Sequence, residues 1–170
     1  MNSTVRERRF TWHDPRDVAR AIMGRPHLDW MGDMIAGNVP PPPFASTLGF
    51  VFEESERGRV RFSVEVHEWA ANPAGVVHGG FTAALLDTAM TLAVTTKIPA
   101  DRIATTLDLH LHYVRPLFPN GQKITAEATA IHTGATIGTA EGRILDSDGR
   151  VIAHGTTTLA IIIPQAQAPR

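Results

Sequence analysis

The pattern of apolar and polar residues changes from a period of two in the middle of the chain to longer apolar runs elsewhere. Residues 59–67, Arg-Val-Arg-Phe-Ser-Val-Glu-Val-His, alternate strictly, as expected for a strand with one buried face. A weaker strand is predicted at 48–53, before a turn at 55–58. Turn residues separate the later apolar segments, which predicts further strands. These strands are expected near 103–115, 123–131, 136–145 and 151–163.

Helical spacing occurs before and between these strands. The stretch 80–96 is almost entirely apolar and predicts one long helix that ends before Ile98-Pro99. Near the N-terminus, Asp14 as N-cap and Pro15 at the first helical position predict a short helix that ends at Gly24. A second short helix is predicted at 27–36, with Gly37 as its end.

The order of elements indicates the fold class. Two strands, one long helix and a run of antiparallel strands predict an α+β unit, in which a curved antiparallel sheet of five to six strands covers the helix. The prolines at 40–43 are interpreted as a stiff spacer that no helix can contain. We therefore expect a helical extension and proline linker at 1–43, a main domain at 44–164 and a short tail at 165–170.

Composition excludes several classes of function. The chain has 170 residues, 43% of them hydrophobic, and a formal net charge of −1, so neither nucleic acid nor an anionic membrane surface is an expected partner. It contains no cysteine, which excludes thiolate metal sites and cysteine nucleophiles. The polar, arginine-rich start does not look like a secretion signal, so a cytoplasmic location is expected.

Candidate chemistry is concentrated in the loop before the long helix. The segment 72–80 reads Asn-Pro-Ala-Gly-Val-Val-His-Gly-Gly, and the helix that follows carries one acidic residue, Asp87. Glycines at a helix start leave N–H groups open to a ligand oxygen. A carboxylate on an apolar helix is costly unless it is paired or used. The pair suggests an oxyanion site and a base or nucleophile.

Helix geometry separates these two groups. If the helix starts near Gly80, Asp87 lies about 10–12 Å from the N–H groups at its start. Either Asp87 has a structural role, or a second subunit brings its own Asp87 to this loop. Each residue taken singly also has a structural explanation: the glycines could permit a tight turn, and Asn72-Pro73 is a common start of a turn.

Longer motifs give the loop a family resemblance. Asn72, the His-Gly-Gly step and Asp87 are followed by Thr-Thr-Leu-Asp-Leu at 105–109 and Tyr-Val-Arg-Pro at 113–116. Together they resemble the hotdog-fold acyl-CoA thioesterases of the phenylacetate-degradation (PaaI-like) type over residues 44–163. The resemblance implies a hydrolase that needs no cofactor or metal and acts on acyl-CoA as a homo-oligomer, either a dimer or a dimer of dimers.

The resemblance also implies a role for each residue. Asp87 is expected to act as general base on water or as nucleophile. Thr106 would help to hold the water, with Thr105 as the alternative if the strand register differs by one. Gly79 would polarise the thioester carbonyl through its N–H, assisted by the Asn72 side chain. His78 would orient the thioester. The residues expected to contact other parts of the substrate are Gly80, Phe81, Met90 and Arg115.

One position departs from the family pattern. Ala135 follows Gly134 where the family often has an arginine or lysine near the CoA phosphates. The anchor would then come from elsewhere, with Arg115, Arg143 and Arg150 as candidates, and another thioester carrier is an alternative to CoA. The N-terminal extension is interpreted either as an arm packed on the domain or as a lid over an acyl pocket.

Other functions stay open at this point. Asp108, His110 and His112 share one face of a strand and form a possible metal-ligand set. A non-catalytic acyl-CoA-binding hotdog protein is the main alternative to an enzyme, although it would not need Asp87. A hydratase on this fold would use a differently placed pair of His with Asp or Glu. A serine hydrolase would need a Gly-x-Ser-x-Gly elbow, which the chain lacks.

Overall fold

Six strands and four helices form the protein in a computed structural model, which describes residues 4–164. The helices are α1 (Pro15–Ile22), α2 (His27–Ile35), α3 (Pro43–Leu48) and α4 (Gly79–Thr95). The strands are β1 (Val51–Glu56), β2 (Arg59–Glu65), β3 (Ile103–Tyr113), β4 (Lys123–Thr133), β5 (Ile137–Leu145) and β6 (Val151–Ile162). A single 3-10 turn, Glu68–Ala70, lies between β2 and α4 in this part of the chain.

All six strands belong to one antiparallel sheet in the order β1-β2-β4-β5-β6-β3. The long helix α4 packs on one face of this sheet, against β2, β3, β4, β5 and β6. Leu85, Leu86, Ala89 and Met90 are fully buried in that contact. The predicted α+β architecture, with a six-stranded sheet around one long helix, is therefore confirmed.

Two glycines of β5 allow the helix to lie close to the sheet. A Cβ atom on Gly142 would come within 3.0 Å of the side chains of Leu86 and Met90, and one on Gly138 within 2.5 Å of Val94. Any larger residue at these positions would push α4 outward. The close packing on β5 fixes the distance between α4 and the sheet. Asp87 lies on the half-buried side of α4, so this packing also fixes its position.

The predicted helices α1 and α2 occur within two residues of their expected ends. The prediction was wrong around the prolines, because Pro43 opens the short helix α3, and the first strand begins at Val51 rather than near residue 48. Proline is favoured at the first helical position, where its missing N–H has no helical partner in any case. Gly49, with φ of 78°, ends α3 and delays the strand.

The domain boundaries at 43/44 and 164/165 stay predictions. The first falls between the first two residues of α3. The tail at 165–170 lies outside the described residues. No helix among residues 4–164 has the length and apolar content needed to cross a lipid bilayer.

Candidate active site

His78 defines the start of the long helix. Its backbone is extended, with φ of −61° and ψ of 131°, and its ring Nδ1 accepts a 2.9 Å hydrogen bond from the N–H of Gly80. This is an N-cap formed by a histidine. The N–H of Gly79 lies at the first position of α4, where N–H groups have no partner within the helix.

Asn72 shapes the loop that leads to His78. Its Oδ1 accepts hydrogen bonds from the N–H groups of Ala74 at 2.9 Å and Val76 at 3.4 Å. The loop continues into His78, whose N–H donates to the carbonyl of Ala70 at 2.8 Å. The structure thus uses the oxygen of the Asn72 amide within the loop, so a role in substrate binding would fall to its nitrogen, which is a donor.

Asp87 meets β3 at the middle of α4. The hydroxyl of Thr106 donates a 2.7 Å hydrogen bond to Oδ1 of Asp87, and the hydroxyls of Thr106 and Thr91 lie 3.3 Å apart. Asp87 is half-buried. The three side chains form a polar cluster on the side of α4 that faces away from the buried core.

A bulge in β3 stands beside this cluster. The pairing with β6 shifts between Thr106 and Asp108, and Leu107, the extra residue, is 59% exposed. Bulges of this kind redirect side chains and occur often next to active sites. Thr106, rather than the neighbouring Thr105, makes the hydrogen bond to Asp87.

The loop and the carboxylate of one chain stay apart. Gly79 is the first residue of α4 and Asp87 lies eight positions later. At a rise of 1.5 Å per residue the two are about 12 Å apart along the helix. One thioester carbonyl cannot contact both groups of the same chain.

Tyr113 adds a contact that the residue pattern did not reveal. Its hydroxyl donates a 2.8 Å hydrogen bond to the carbonyl of Gly79, and a Cβ on Gly79 would lie 3.2 Å from its ring. No local spacing signals this pair, which spans 34 positions. Thr91 was also missed, although it lies one helical turn after Asp87 and so on the same face.

The other predicted substrate contacts fall into two groups. Gly80 and Arg115 are exposed. Phe81, 7% exposed, packs edge-on against Phe50 and Trp69, and Met90 is fully buried. Only the first pair is open to direct contact with a ligand in the described chain.

The candidate anchors for the CoA phosphates differ in their partners. Arg143 pairs with Glu127 at 2.9 Å and Arg150 with Asp146 at 2.8 Å. Arg115 donates to the backbone carbonyl of Val151 at 2.5 Å and neutralises no carboxylate there. Of the three guanidinium groups, that of Arg115 is therefore the one best able to pair with a phosphate.

Arg102 occupies the turn at Ala135. Its guanidinium donates a 2.8 Å hydrogen bond to the Ala135 carbonyl. A basic group therefore lies at the turn whose sequence lacks one. The residue pattern gave no sign of this contact, because Arg102 comes 33 positions earlier in the chain.

Two of the three possible metal ligands on β3, Asp108 and His112, have contacts outside the set. Asp108 Oδ1 accepts from the N–H of Thr158 at 3.0 Å and lies 3.9 Å from Nε2 of His110. His112 stacks on His154 with ring centroids 5.2 Å apart. Among residues 4–164, no three His, Asp or Glu side chains are grouped so that they could hold a metal ion.

Comparison with known proteins relates this geometry to a family. The family model described as the thioesterase superfamily matches residues 74–153, which hold the His-Gly-Gly loop, Asp87 and Thr106. Over this segment, a little under half of its length, the chain is similar to the thioesterase superfamily. The predicted hotdog fold and the likeness to PaaI-like thioesterases are confirmed, and so is a thioester hydrolase at the level of the family.

Individual relatives agree with this thioesterase assignment. A Halobacterium salinarum protein provisionally named an esterase is 39% identical over 101 residues, which cover 56% of this chain and 65% of that protein. The 1,4-dihydroxy-2-naphthoyl-CoA hydrolase of Listeria monocytogenes is 26% identical, over 68% of this chain and 92% of its own.

A solved structure matches the fold over most of the chain. The phenylacetic acid degradation-related protein of Ralstonia eutropha JMP134 superposes with a TM-score of 0.69 and 27% identity. The superposition covers 77% of this chain and 98% of the other.

Proposed function

We propose that the protein hydrolyses the thioester bond of an aryl- or medium-chain acyl-CoA to the free acid and CoA, in the cytoplasm. The observation that carries the proposal is the hydrogen bond of 2.7 Å between Thr106 and Asp87, on an accessible side of α4. A carboxylate on an accessible side of a helix, with a hydroxyl beside it to hold a water, can act as a general base on that water. The match of residues 74–153 to the thioesterase superfamily model supports the reaction type.

Asp87 is the proposed base or nucleophile. As a base, its free oxygen accepts a proton from water while the water oxygen attacks the acyl carbon, and the thiolate of CoA leaves. Thr106 donates its own hydrogen to Asp87, so its hydroxyl oxygen can accept a hydrogen bond from the same water. As a nucleophile, Asp87 would form an anhydride that water then cleaves.

The loop supplies the other half of the chemistry. The N–H of Gly79, together with the Asn72 amide nitrogen, would donate to the carbonyl oxygen as negative charge develops on it. The positive end of the α4 dipole adds to this stabilisation. One such donor lowers the barrier by about 3–4 kcal/mol in enzymes with oxyanion holes. His78 would orient the thioester next to this donor.

Two copies of the chain are needed to join these halves. Asp87 and the Gly79 N–H of one chain are about 12 Å apart along α4. Strand β3, which carries Thr106, pairs with β6 on one side, and no strand of residues 4–164 covers its other edge. An open edge of 11 residues is a ready site for pairing with a second copy. The proposed unit is a dimer or a dimer of dimers, with each site formed by two chains.

The rest of the substrate is assigned to exposed residues. Gly80 and Arg115 would contact the CoA moiety, with the Arg115 guanidinium near its phosphates. Phe81 and Met90 support the site from within the core, and the proposal therefore gives them no direct substrate contact.

Release of free thiol from a panel of acyl-CoAs tests the reaction. We expect the wild-type protein to hydrolyse at least one aryl- or medium-chain acyl-CoA, and Asp87→Asn and Asp87→Ala to lose about a hundredfold or more, the scale of a general base. If both variants keep wild-type rates, Asp87 has a structural role. If the wild-type protein binds acyl-CoA but hydrolyses none, it is a non-catalytic binding protein.

A further inference from the structure

A deep apolar cavity lies between the N-terminal helices and the second half of α4. Its volume is about 630 Å³, within the range of pockets that enclose small organic ligands. Helices α1 and α2 form one wall, and strands β1 and β2 form another. The main apolar residues of these walls are Ile22, Trp30, Met34, Phe50, Phe52 and Phe62.

The cavity begins at the candidate catalytic cluster. Thr88 and Thr91 of α4 line it, and the Thr91 hydroxyl lies 3.3 Å from that of Thr106, the partner of Asp87. The lining continues along α4 to Thr95. From Thr88 to Thr95 the wall therefore extends about 10 Å along the helix axis. An acyl group whose carbonyl carbon lies at Asp87 would point its chain into this space.

Two of the three threonine hydroxyls in this wall are bonded to the helix itself. Thr88 donates to the carbonyl of Ala84 at 2.8 Å, and Thr95 donates to the carbonyl of Thr91 at 2.8 Å. Their methyl groups are left as the surface that a ligand can contact. Because these two hydrogens are already donated, a ligand group that needs a hydrogen-bond donor would lose its hydration without replacement.

The one histidine in the wall is bonded in the same way. Nε2 of His27 donates to the carbonyl of Pro99 at 3.0 Å, and Nδ1 of the same ring accepts from the indole N–H of Trp30 at 3.2 Å. These bonds also hold α2 on the segment that follows α4. The extension is therefore a fixed wall of the cavity, packed on the domain.

Apolar side chains remain exposed around the opening. Residues that line the cavity and yet keep more than a third of their surface in solvent are Met23, Ile35, Val51, Ile103 and Ile163. Such a grouping of exposed apolar surface around a cavity is typical of a binding site for an apolar ligand. The charged residues of the lining, Asp101 and Arg102, lie just before β3.

We propose that this cavity binds the hydrocarbon chain of a straight medium-chain acyl group, such as octanoyl or decanoyl, and that the N-terminal extension sets the preferred chain length. This inference rests on the proposed thioesterase function and narrows its substrate class. The family match spans residues 74–153, whereas α1, α2, β1 and β2 lie before it. The walls formed by these four elements therefore lie outside the matched segment, whereas the wall along α4 lies within it.

A compact aromatic acyl group fits the cavity less well. A single ring would leave much of the length along α4 empty, and a hydroxylated ring would carry a polar group into a wall whose hydroxyls and imidazole are already bonded. An unpaired polar group in such a site strongly disfavours binding. Aryl acyl-CoAs are thus expected to be poorer substrates than decanoyl-CoA.

The test compares chain-length profiles in a matched pair of variants. Met34→Trp places a large ring on the wall formed by α2, whereas Leu28→Trp adds the same ring on the same helix at a position outside the cavity. We expect wild-type kcat/KM to rise at least about tenfold from butanoyl-CoA to decanoyl-CoA, since each buried methylene strengthens binding by up to about fourfold and the chain gains six of them. Met34→Trp should lower the decanoyl-to-butanoyl ratio at least about tenfold, and Leu28→Trp should preserve it.

Calorimetric titration with decanoate provides a measurement that does not depend on turnover. Wild type and Leu28→Trp should bind it, and Met34→Trp should bind it at least about tenfold more weakly, by the loss of buried chain. A flat chain-length profile in an active wild type, or a Met34→Trp variant that matches Leu28→Trp in both measurements, would overturn the inference while leaving hydrolysis intact. If the wild-type protein binds decanoate but hydrolyses no acyl-CoA, the result would instead contradict the proposed function alone.

Discussion

Thr106 of β3 donates a 2.7 Å hydrogen bond to Asp87 of α4, and the two residues thereby join the open edge strand of the sheet to the middle of the long helix. The bond fixes one carboxylate oxygen and leaves the other available. Asp87 is half-buried, and the partner that the structure gives it is a neutral hydroxyl rather than a cation.

Removal of this hydroxyl tests its effect on Asp87. Thr106→Val keeps the branched shape but cannot donate, and we expect kcat to fall by about tenfold to a hundredfold because the base is misplaced. Thr106→Ser should restore most of the rate, since it keeps the hydroxyl. Thr105→Val, which changes a neighbour that does not bond Asp87, is the control. Equal losses in the two valine variants would point to a structural effect on β3.

The N–H of Gly79 can be removed by substitution with proline. Gly79→Pro deletes this donor, and proline is tolerated here because Gly79 is the first residue of α4 and His78 before it is extended. Gly79→Ala is the matched control, since it also places a Cβ near the Tyr113 ring but keeps the N–H. We expect Gly79→Pro to reduce kcat about a hundred- to a thousandfold, the effect of losing one oxyanion donor, and Gly79→Ala to lose far less. Similar losses in both would show that crowding at Tyr113 is the cause.

His78 has a structural role that can be separated from catalysis. Its Nδ1 caps the Gly80 N–H, and His78→Ala should lower the free energy of unfolding by about 1 kcal/mol through loss of this cap. His78→Ser offers a better cap than alanine and should recover most of that stability in urea unfolding. If His78 also orients the thioester, His78→Ser will recover stability but not kcat/KM. Recovery of both quantities would leave the cap as its whole role.

The hydrogen bonds of the Asp146 carboxyl, which lies away from the candidate site, lead us to expect that stability depends on pH. Burial acts to raise the pKa of this carboxyl, but hydrogen bonds from the Arg150 N–H and guanidinium and from the Asp148 N–H outweigh it and leave the pKa below its usual value. A depressed pKa in the folded state means that the stabilisation is complete above the unfolded pKa of about 4 and is lost as the pH falls through the folded value.

Urea unfolding at several pH values checks this expectation. The midpoint difference between wild type and Asp146→Asn should be largest near neutral pH and should shrink below about pH 4, where the wild-type carboxyl also loses its charge. Asp148→Asn is a suitable control, because Asp148 is mostly exposed and makes one ion pair, to Arg150. A difference that stays constant down to pH 2 would contradict the assignment.

The parts of this structure that local patterns determine were predictable. The strict alternation at 59–67 corresponds to β2, and Asp14 and Pro15 mark the start of α1 where capping chemistry requires it. The helix α3 was missed because Pro43 was interpreted as part of a spacer, whereas proline can also begin a helix.

The candidate site was also only partly predictable from local sequence. Asp87, Gly79 and His78 follow from local sequence, as do their positions along α4. The contacts of Tyr113 with Gly79 and of Arg102 with Ala135 join segments more than thirty positions apart, and only the folded sheet brings them together. The apolar cavity depends on how α2 packs against β1 and α4, so no spacing within one segment could reveal it.

A site formed by two chains is the central claim, and a hybrid dimer tests it most directly. Asp87→Asn and Gly79→Pro chains, each inactive alone, are co-expressed with different tags, and the dimer that carries both tags is purified. If each site takes Asp87 from one chain and Gly79 from the other, one of its two sites contains both intact groups. Thiol release per dimer should then reach about half of the wild-type value, as expected for a two-fold symmetric pair of sites. A hybrid as inactive as its two parents would contradict the account.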